Sequence, residues 1–111
     1  MTVENLAEML QETGIPFAYD HFAEGESPVP PFLCFLLPAS DHFAADGKVY
    51  FRINQVRIEL YTEKKDPAVE KQVEDVLEHH GIVYSRSECW IPEERLYEAM
   101  YSFEVPEAEE G

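Results

Sequence analysis

Three residue pairs supply most of the side chains that could do chemistry in this 111-residue chain. They are Asp20-His21, Asp41-His42 and His79-His80. If the fold brought them together, imidazole and carboxylate groups could bind a transition metal or act as general acid and base. None has a metal-ligand spacing such as His-x-x-x-His, and His79 and His80 fall at the C-terminal end of a predicted helix, where cations are favoured. We therefore expect surface or capping histidines and no metal site.

The cysteines and glycines point away from catalysis as well. Cys34 and Cys89 are too few for a disulfide framework. Cys34 lies in the apolar run FLCFLL, residues 32–37, where burial raises the pKa of a thiol and makes it a poor nucleophile. The five glycines are scattered and form no phosphate loop, dinucleotide fingerprint or nucleophile elbow. We expect a protein that is not an enzyme and uses no cofactor.

Charge is distributed unevenly along the chain, whose formal net charge is -15. Residues 1–47 contain eight acidic residues and no base, and residues 72–111 contain eleven acidic residues and two bases. Residues 48–71 hold six of the eight bases against four acidic residues. Most of this surface would repel a free polyanion such as DNA, which disfavours ordinary nucleic-acid binding. A basic partner, or self-association of the basic stretch with an acidic face, fits the pattern better.

The basic stretch begins with the longest strand-like segment of the chain, KVYFRINQVRIELYT, residues 48–62. Its apolar residues occupy odd positions up to Ile53 and even positions from Val56, so the alternation changes phase around Asn54-Gln55. Such a change requires a bulge, a bend or a change in which face is covered. Extended, the segment spans roughly 50 Å, whereas a compact domain of this size is roughly 35 Å across. We expect the ribbon either to bend near Asn54 or to project in part as an arm.

The remaining periodicities predict two amphipathic helices and four further strands around this segment. In chain order we predict a helix over 3–13, strands over 17–22 and 32–37, the long strand over 48–62, a helix from Pro67 to about residue 80, and strands over 82–90 and 96–105. Mostly hairpin connections imply an α+β fold in two layers, with a mostly antiparallel sheet and both helices on one face, in the order α-β-β-β-α-β-β. We expect one domain over residues 1–105 and a frayed acidic tail over residues 106–111.

Two local predictions bear on function. Residues 39–47, ASDHFAADG, are expected to form a loop before the long strand, with a turn signal at Asp46-Gly47. Phe43 in this acidic loop either tucks back onto the core or serves as an interface anchor. On the second helix Glu70 is expected to face solvent, opposite the apolar positions. The N-terminus has no signal-peptide pattern, and no apolar run approaches the length of a membrane span.

Several stretches in this layout carry a family resemblance. They are Pro30-Pro31-Phe32, Lys48-Val49-Tyr50, Glu59-Leu60-Tyr61-Thr62, Lys65-Asp66-Pro67, Gly81-Ile82 and residues 97–105. Their arrangement resembles small proteins encoded by tailed phages and prophages of Gram-positive bacteria, namely the siphophage tail terminator and head–tail joining (tail completion) proteins. The resemblance covers nearly the whole chain as an order of elements, and no single residue in it is diagnostic.

The resemblance implies a structural virion component without catalysis or cofactor. Such a subunit forms a ring, usually a hexamer and in some cases only when templated, that caps the tail tube and docks to the neck of the head. Its implied partners are other copies of itself, tail-tube proteins and neck proteins, in the host cytoplasm during assembly and then in the virion. DNA passes through without being specifically bound, and an acidic lumen would keep the duplex sliding. Acidity also serves solubility by itself.

A ring requires two different patches that meet head to tail on neighbouring subunits. We hypothesise that one patch is the basic stretch, with Phe43 as an apolar contact, and that it faces an acidic surface of the next copy. Its charged members are Lys48, Arg52, Arg57, Lys64 and Lys65. These residues could equally do no more than flank exposed sheet edges.

A competing interpretation is an acidic inhibitor or adaptor that mimics nucleic acid and blocks a basic protein. Such a mimic should be a monomer or dimer with its acidic residues in a double row, whereas a ring subunit should reach a mass near six protomers. An enzyme with a converged histidine and carboxylate site is the third alternative.

Overall fold

A computed structural model describes residues 1–45 and 48–106, and the side chains of these residues except those of 42–45 and 48–51. Two helices and five strands follow one another in the predicted order α-β-β-β-α-β-β. They are α1 (Val3–Gln11), β1 (Phe17–Tyr19), β2 (Phe32–Ala45), β3 (Lys48–Thr62), α2 (Pro67–His79), β4 (Ser85–Ile91) and β5 (Leu96–Pro106). The α+β class predicted from the sequence is confirmed.

Both helices begin at capping signals that the sequence contains. Thr2 and Asn5 form a reciprocal capping box at α1, in which each side chain accepts a hydrogen bond from the other residue's backbone N–H. At α2 the Asp66 side chain accepts from the Val69 N–H, and Pro67 occupies the first turn, where its missing N–H costs nothing.

The five strands form one sheet in the order β1-β2-β3-β5-β4. The pairs β2–β3, β3–β5 and β4–β5 are antiparallel, and only the three-residue β1 runs parallel to its neighbour β2. Because β5 lies between β3 and β4, the connection through α2 crosses over β5. The sheet is therefore mostly antiparallel, as predicted.

One face of the sheet carries the core and both helices. Leu33 and Phe35 of β2 lie opposite Leu60 and Ile58 of β3, and this row of buried side chains continues onto β5. The helices contribute Leu6, Met9, Leu10, Val73 and Leu77. We call the opposite side the helix-free face; no helix of the described chain packs on it. Two layers result, as the amphipathic patterns predict.

The change of phase in β3 coincides with a bulge in its partner strand. Pairing of β3 with β5 runs without interruption from Thr62 to Ile53. In β2, however, the register shifts by one residue between Leu36 and Ala39, so that Leu37 and Pro38 together oppose Val56. Proline has no N–H to donate to the strand ladder, and a bulge is one of the few positions in a sheet that tolerates it. The apolar positions of β3 thus change face opposite the point where β2 makes room for an extra residue.

Past this bulge the two strands continue as a hairpin, which we call the arm: residues 39–45 of β2 with residues 48–55 of β3. The predicted loop over 39–47 is wrong for residues 39–45, which pair as strand; residues 46 and 47 lie outside the described part. Pairing with the longer β3 overrides the weak strand propensity of Ala39–Ala45. The expectation of an arm is met, and the molecule measures 51 × 28 × 23 Å.

The last strand extends one residue past its predicted end. Pro106 belongs to β5 and lies opposite Ile53, so the strand includes the first residue of the predicted tail. Residues 107–111 lie outside the described residues. Neither α1 nor α2 is long and apolar enough to cross a membrane, and the described part of the chain contains no other helix.

Candidate interaction surfaces

The arm extends beyond the body of the sheet, and the outer edges of its two strands are open in the described chain. β1 pairs only with Leu33–Phe35, so residues 39–45 of β2 have no neighbour on their outer side within the described chain. Within the described residues β5 pairs with β3 only as far as Ile53, so the backbone of residues 48–51 pairs with β2 alone there. Unpaired N–H and C=O groups along an edge are a template for pairing with another strand.

β4 forms the opposite border of the sheet. Its single partner in the described structure is β5, from Ser85 opposite Ser102 to Ile91 opposite Leu96. Six of its seven residues are exposed, including the Trp90 side chain. β4 contains no proline and its register with β5 is unbroken, and its two charged residues, Arg86 and Glu88, are engaged in ion pairs.

The helix-free face carries two carboxylates among apolar and aromatic side chains. Glu59 and Glu98 are each less than a tenth exposed, and each has apolar or aromatic neighbours across the strands. Tyr61 donates a hydrogen bond of 3.0 Å to Glu59 Oε1, and Arg57 Nε lies 3.1 Å from Glu59 Oε2. Burial raises the pKa of Glu59, and the nearby Glu98 carboxylate raises it further. Two buried acidic groups thus lie close to each other, and the cation Arg57 pairs with one of them.

A shallow groove of about 630 Å³ adjoins Arg57 and is lined by residues of both faces of the sheet. Arg57, Gln55, Ser102 and Glu104 contribute to its lining, and Ser85 lies at its border. Its lining is largely polar, and Arg57 Nε forms an ion pair with Glu59. The groove follows the surface of the sheet and does not enclose a ligand-sized cavity with converging polar groups.

On the helix side, β4 is joined to α2 by an ion network. Lys65 Nζ donates to Glu70 Oε1 at 2.8 Å and to Glu88 Oε2 at 2.6 Å. Arg86 Nη2 donates to the same two carboxylates, at 2.7 Å for Glu88, and Arg86 Nε lies 3.6 Å from Glu74 Oε2. Hydrogen bonds from Lys65 and Arg86 lower the pKa of Glu88 to about 2. The network fixes the position of β4 at the edge.

The predicted interface residues do not form one patch. Lys64 is exposed just past the end of β3, whereas Arg52 is exposed in the arm, near the other end of that strand. Arg57 pairs with Glu59 on the helix-free face, and Lys65 pairs with Glu70 and Glu88 on the helix side. The side chains of Lys48 and Phe43 lie outside the described set; their backbones belong to the arm.

The candidate catalytic pairs are described in part, since the side chain of His42 lies outside the described set. His80 Nε2 lies 2.8 Å from Glu12 Oε2, and His21 lies beside its neighbour Asp20. Burial raises the pKa of the Cys34 thiol to about 11, in agreement with the inert thiol predicted. Among the described residues, no group of three or more histidine, cysteine or acidic side chains could hold a metal ion.

Sequence reasoning missed two features of these surfaces. Glu70 was predicted to face solvent but is 5% exposed, because Lys65 and Arg86 bring their charges to it under the helix. Arg86, one of two bases among the eleven acidic residues of 72–111, was the available signal. The open edge at β4 was also missed, although SRSECWI lacks the alternation of a strand covered on one face.

Comparison of the sequence with models of known protein families and with curated proteins finds no match.

Proposed function

We propose that this protein is a structural subunit that assembles with copies of itself into a ring, as tail terminator and head–tail joining proteins of tailed phages do. The observation that carries the proposal is the arm, a hairpin whose two strands pair, over residues 39–45 and 48–52 of the described chain, only with each other. Two-stranded hairpins are marginally stable alone in water, because half of their backbone groups and most of their apolar surface stay uncovered. A second copy would supply the missing neighbour.

The distribution of charge supports assembly in which the arm makes the contact. Residues 39–45 and 48–55 contain one acidic residue, Asp41, and two bases, Lys48 and Arg52, so the arm carries a formal charge of +1 in a chain of charge -15. It is therefore a segment that can approach an acidic copy without adding repulsion. Arg52, exposed in the arm, can face acidic residues of the neighbour.

The ring would cap the tail tube and dock to the neck of the head, and its partners would be tail-tube and neck proteins. Assembly would take place in the host cytoplasm before the subunit enters the virion. An acidic lumen would let DNA pass without holding it. This part of the proposal is supported by the resemblance in the order of elements.

Negative-stain electron microscopy of the purified protein, together with native mass spectrometry over a concentration series, tests the proposal. We expect closed rings with a mass near six protomers at high concentration or when phage tails without a terminator are added. Particles that stay monomeric under both conditions would overturn it.

The nucleic-acid mimic is favoured by one observation, the charge of -15. A mimic would bind a basic protein or polylysine as a monomer, and the complex would dissociate in salt because its attraction is electrostatic. Ring assembly between like-charged copies should instead strengthen when salt screens their repulsion. The sign of the salt effect separates the two proposals.

A further inference from the structure

The two open edges described above lie on opposite sides of the same sheet and match each other. We infer that β4 of one copy pairs, antiparallel, with residues 39–45 of β2 in the arm of the next copy. This inference rests on the proposed ring and names the surfaces that form its subunit interface.

The lengths and the directions of the two edges agree. β4 contains seven residues, Ser85–Ile91, and the outer edge of the arm contains seven, residues 39–45. β2 is antiparallel to β3, β3 to β5 and β5 to β4, so β2 and β4 run in opposite directions within one sheet. Copies added side by side in one orientation therefore meet as an antiparallel pair, the more stable kind of ladder.

The faces agree in the same register. Full overlap places residue 39 opposite Ile91 and Asp41 opposite Cys89. Asp41 pairs with Ile53, which lies two residues from Gln55 and therefore on the same face, the helix-free face. Cys89 pairs with Glu98, which lies on that face as well. Ser40 pairs with the buried Asn54 on the helix side, as Trp90 pairs with Tyr97. Since residues opposite each other share a face, the register keeps both faces of the combined sheet continuous.

The geometry also fixes how successive copies are displaced. Residues Ser85–Trp90 of β4 pair with residues of β5 that in turn pair with Arg57–Thr62, the C-terminal part of β3. Residues 39–45 of β2 pair instead with the N-terminal part of β3. Pairing therefore shifts each copy by about eight residues along the strands, roughly 26 Å. A head-to-tail interface with such a shift closes as a ring when the strands tilt against the ring axis, as in a barrel.

A disulfide scan that uses the native Cys89 tests this pairing in the full chain. Cα atoms of directly opposite residues on antiparallel strands are about 4.5–5.5 Å apart, within the range that a disulfide bridges. We expect Asp41→Cys, mildly oxidised at assembling concentrations, to form a covalent ladder of subunits on a non-reducing gel. Ser40→Cys, on the other face, is the matched control, and Asp41→Cys with Cys89→Ser should give no ladder.

Trp90 gives a second readout because it is the only tryptophan and is 49% exposed in one copy. Pairing along β4 should shift its fluorescence to shorter wavelength as assembly proceeds. Rings that form without the Asp41→Cys ladder and without a Trp90 shift would overturn the inference while leaving the proposed function intact. Failure of the wild-type protein to form any assembly would overturn both.

Discussion

At the scale of single residues, Glu59 and Glu98 show how the helix-free face differs from the core. Two carboxylates less than a tenth exposed on one face, with Arg57 as the cation, cost stability that an apolar pair would not. Because the folded state raises the pKa of Glu59, the folded protein binds a proton there more tightly than the unfolded chain. Stability therefore falls as the pH rises above the ordinary carboxyl range, about 4.

We expect Glu98→Gln to stabilise the protein by roughly 0.5–1 kcal/mol near neutral pH, because it removes a like charge beside Glu59. Urea unfolding followed by circular dichroism measures the change. Glu104→Gln, an exposed residue of the same strand, is the control and should change stability little. The gain should vanish below about pH 4, where Glu59 is protonated. A gain that persists in acid would show that repulsion is not its cause.

Arg86 has the opposite role, since it compensates buried charge. We expect Arg86→Met to destabilise the protein by about 2 kcal/mol, because Glu70 would keep only Lys65 as a partner. Lys71→Met, which removes an exposed pair with Asp75, is the control and should have little effect. Thermal and urea unfolding give both values. Equal losses in the two variants would contradict the importance of the network.

This network also gives a pH dependence with a definite sign. Glu88 has its pKa lowered to about 2 by Lys65 and Arg86, so its contribution is present above the ordinary carboxyl value and is lost as the pH falls toward 2. The stability difference between the wild type and Arg86→Met should therefore shrink between about pH 5 and about pH 2. A difference that is constant over this range would argue against an ionised Glu88 partner.

At the scale of elements, the bulge at Leu37-Pro38 separates the part of the sheet that packs on the helices from the arm. The buried core positions of β2 and β3 lie in the part of each strand that is outside the arm. They are Leu33, Phe35, Val56, Ile58 and Leu60. Within residues 42–52 the only described side chain is that of Arg52, which is exposed. Because the backbone of this segment pairs only between β2 and β3 in the described chain, we expect that the arm can be shortened without loss of the fold.

We expect replacement of residues 42–52 by Asn-Gly to leave a folded protein whose melting temperature changes by only a few degrees. Asp41 and Ile53 are register partners, and Asn-Gly closes a two-residue hairpin between such a pair. Differential scanning calorimetry measures the change. Loss of the cooperative transition would show that the arm is part of the folding core.

The elements differ in how far their sequence determines them. α2 is predicted correctly because Asp66-Pro67 and the spacing of Val73 and Leu77 are local signals. The strand over residues 39–45 was not predicted, since its alanines and polar residues become strand only by pairing with β3, which is a non-local contact. The parallel pairing of β1 and the burial of Glu70 likewise depend on contacts between distant segments.

At the scale of the whole molecule, charge decides how copies meet. Each copy carries -15, so bringing copies together costs repulsion that falls as salt shortens the screening length from about 10 Å at 0.1 M to about 3 Å at 1 M. We expect self-association, measured by light scattering, to strengthen on going from low to moderate salt. Arg52→Glu should weaken it most at low salt, and Lys64→Glu, an exposed residue outside the arm, is the matched control. Association that weakens steadily with salt would favour binding to a basic partner.

The most direct test of the central claim, that the arm joins copies into an assembly, is the solution mass of two proteins measured side by side by sedimentation velocity. We predict that the wild type moves toward a closed oligomer as concentration rises, whereas the variant with residues 42–52 replaced by Asn-Gly stays a folded monomer. A wild type and a variant that reach the same mass would contradict the claim.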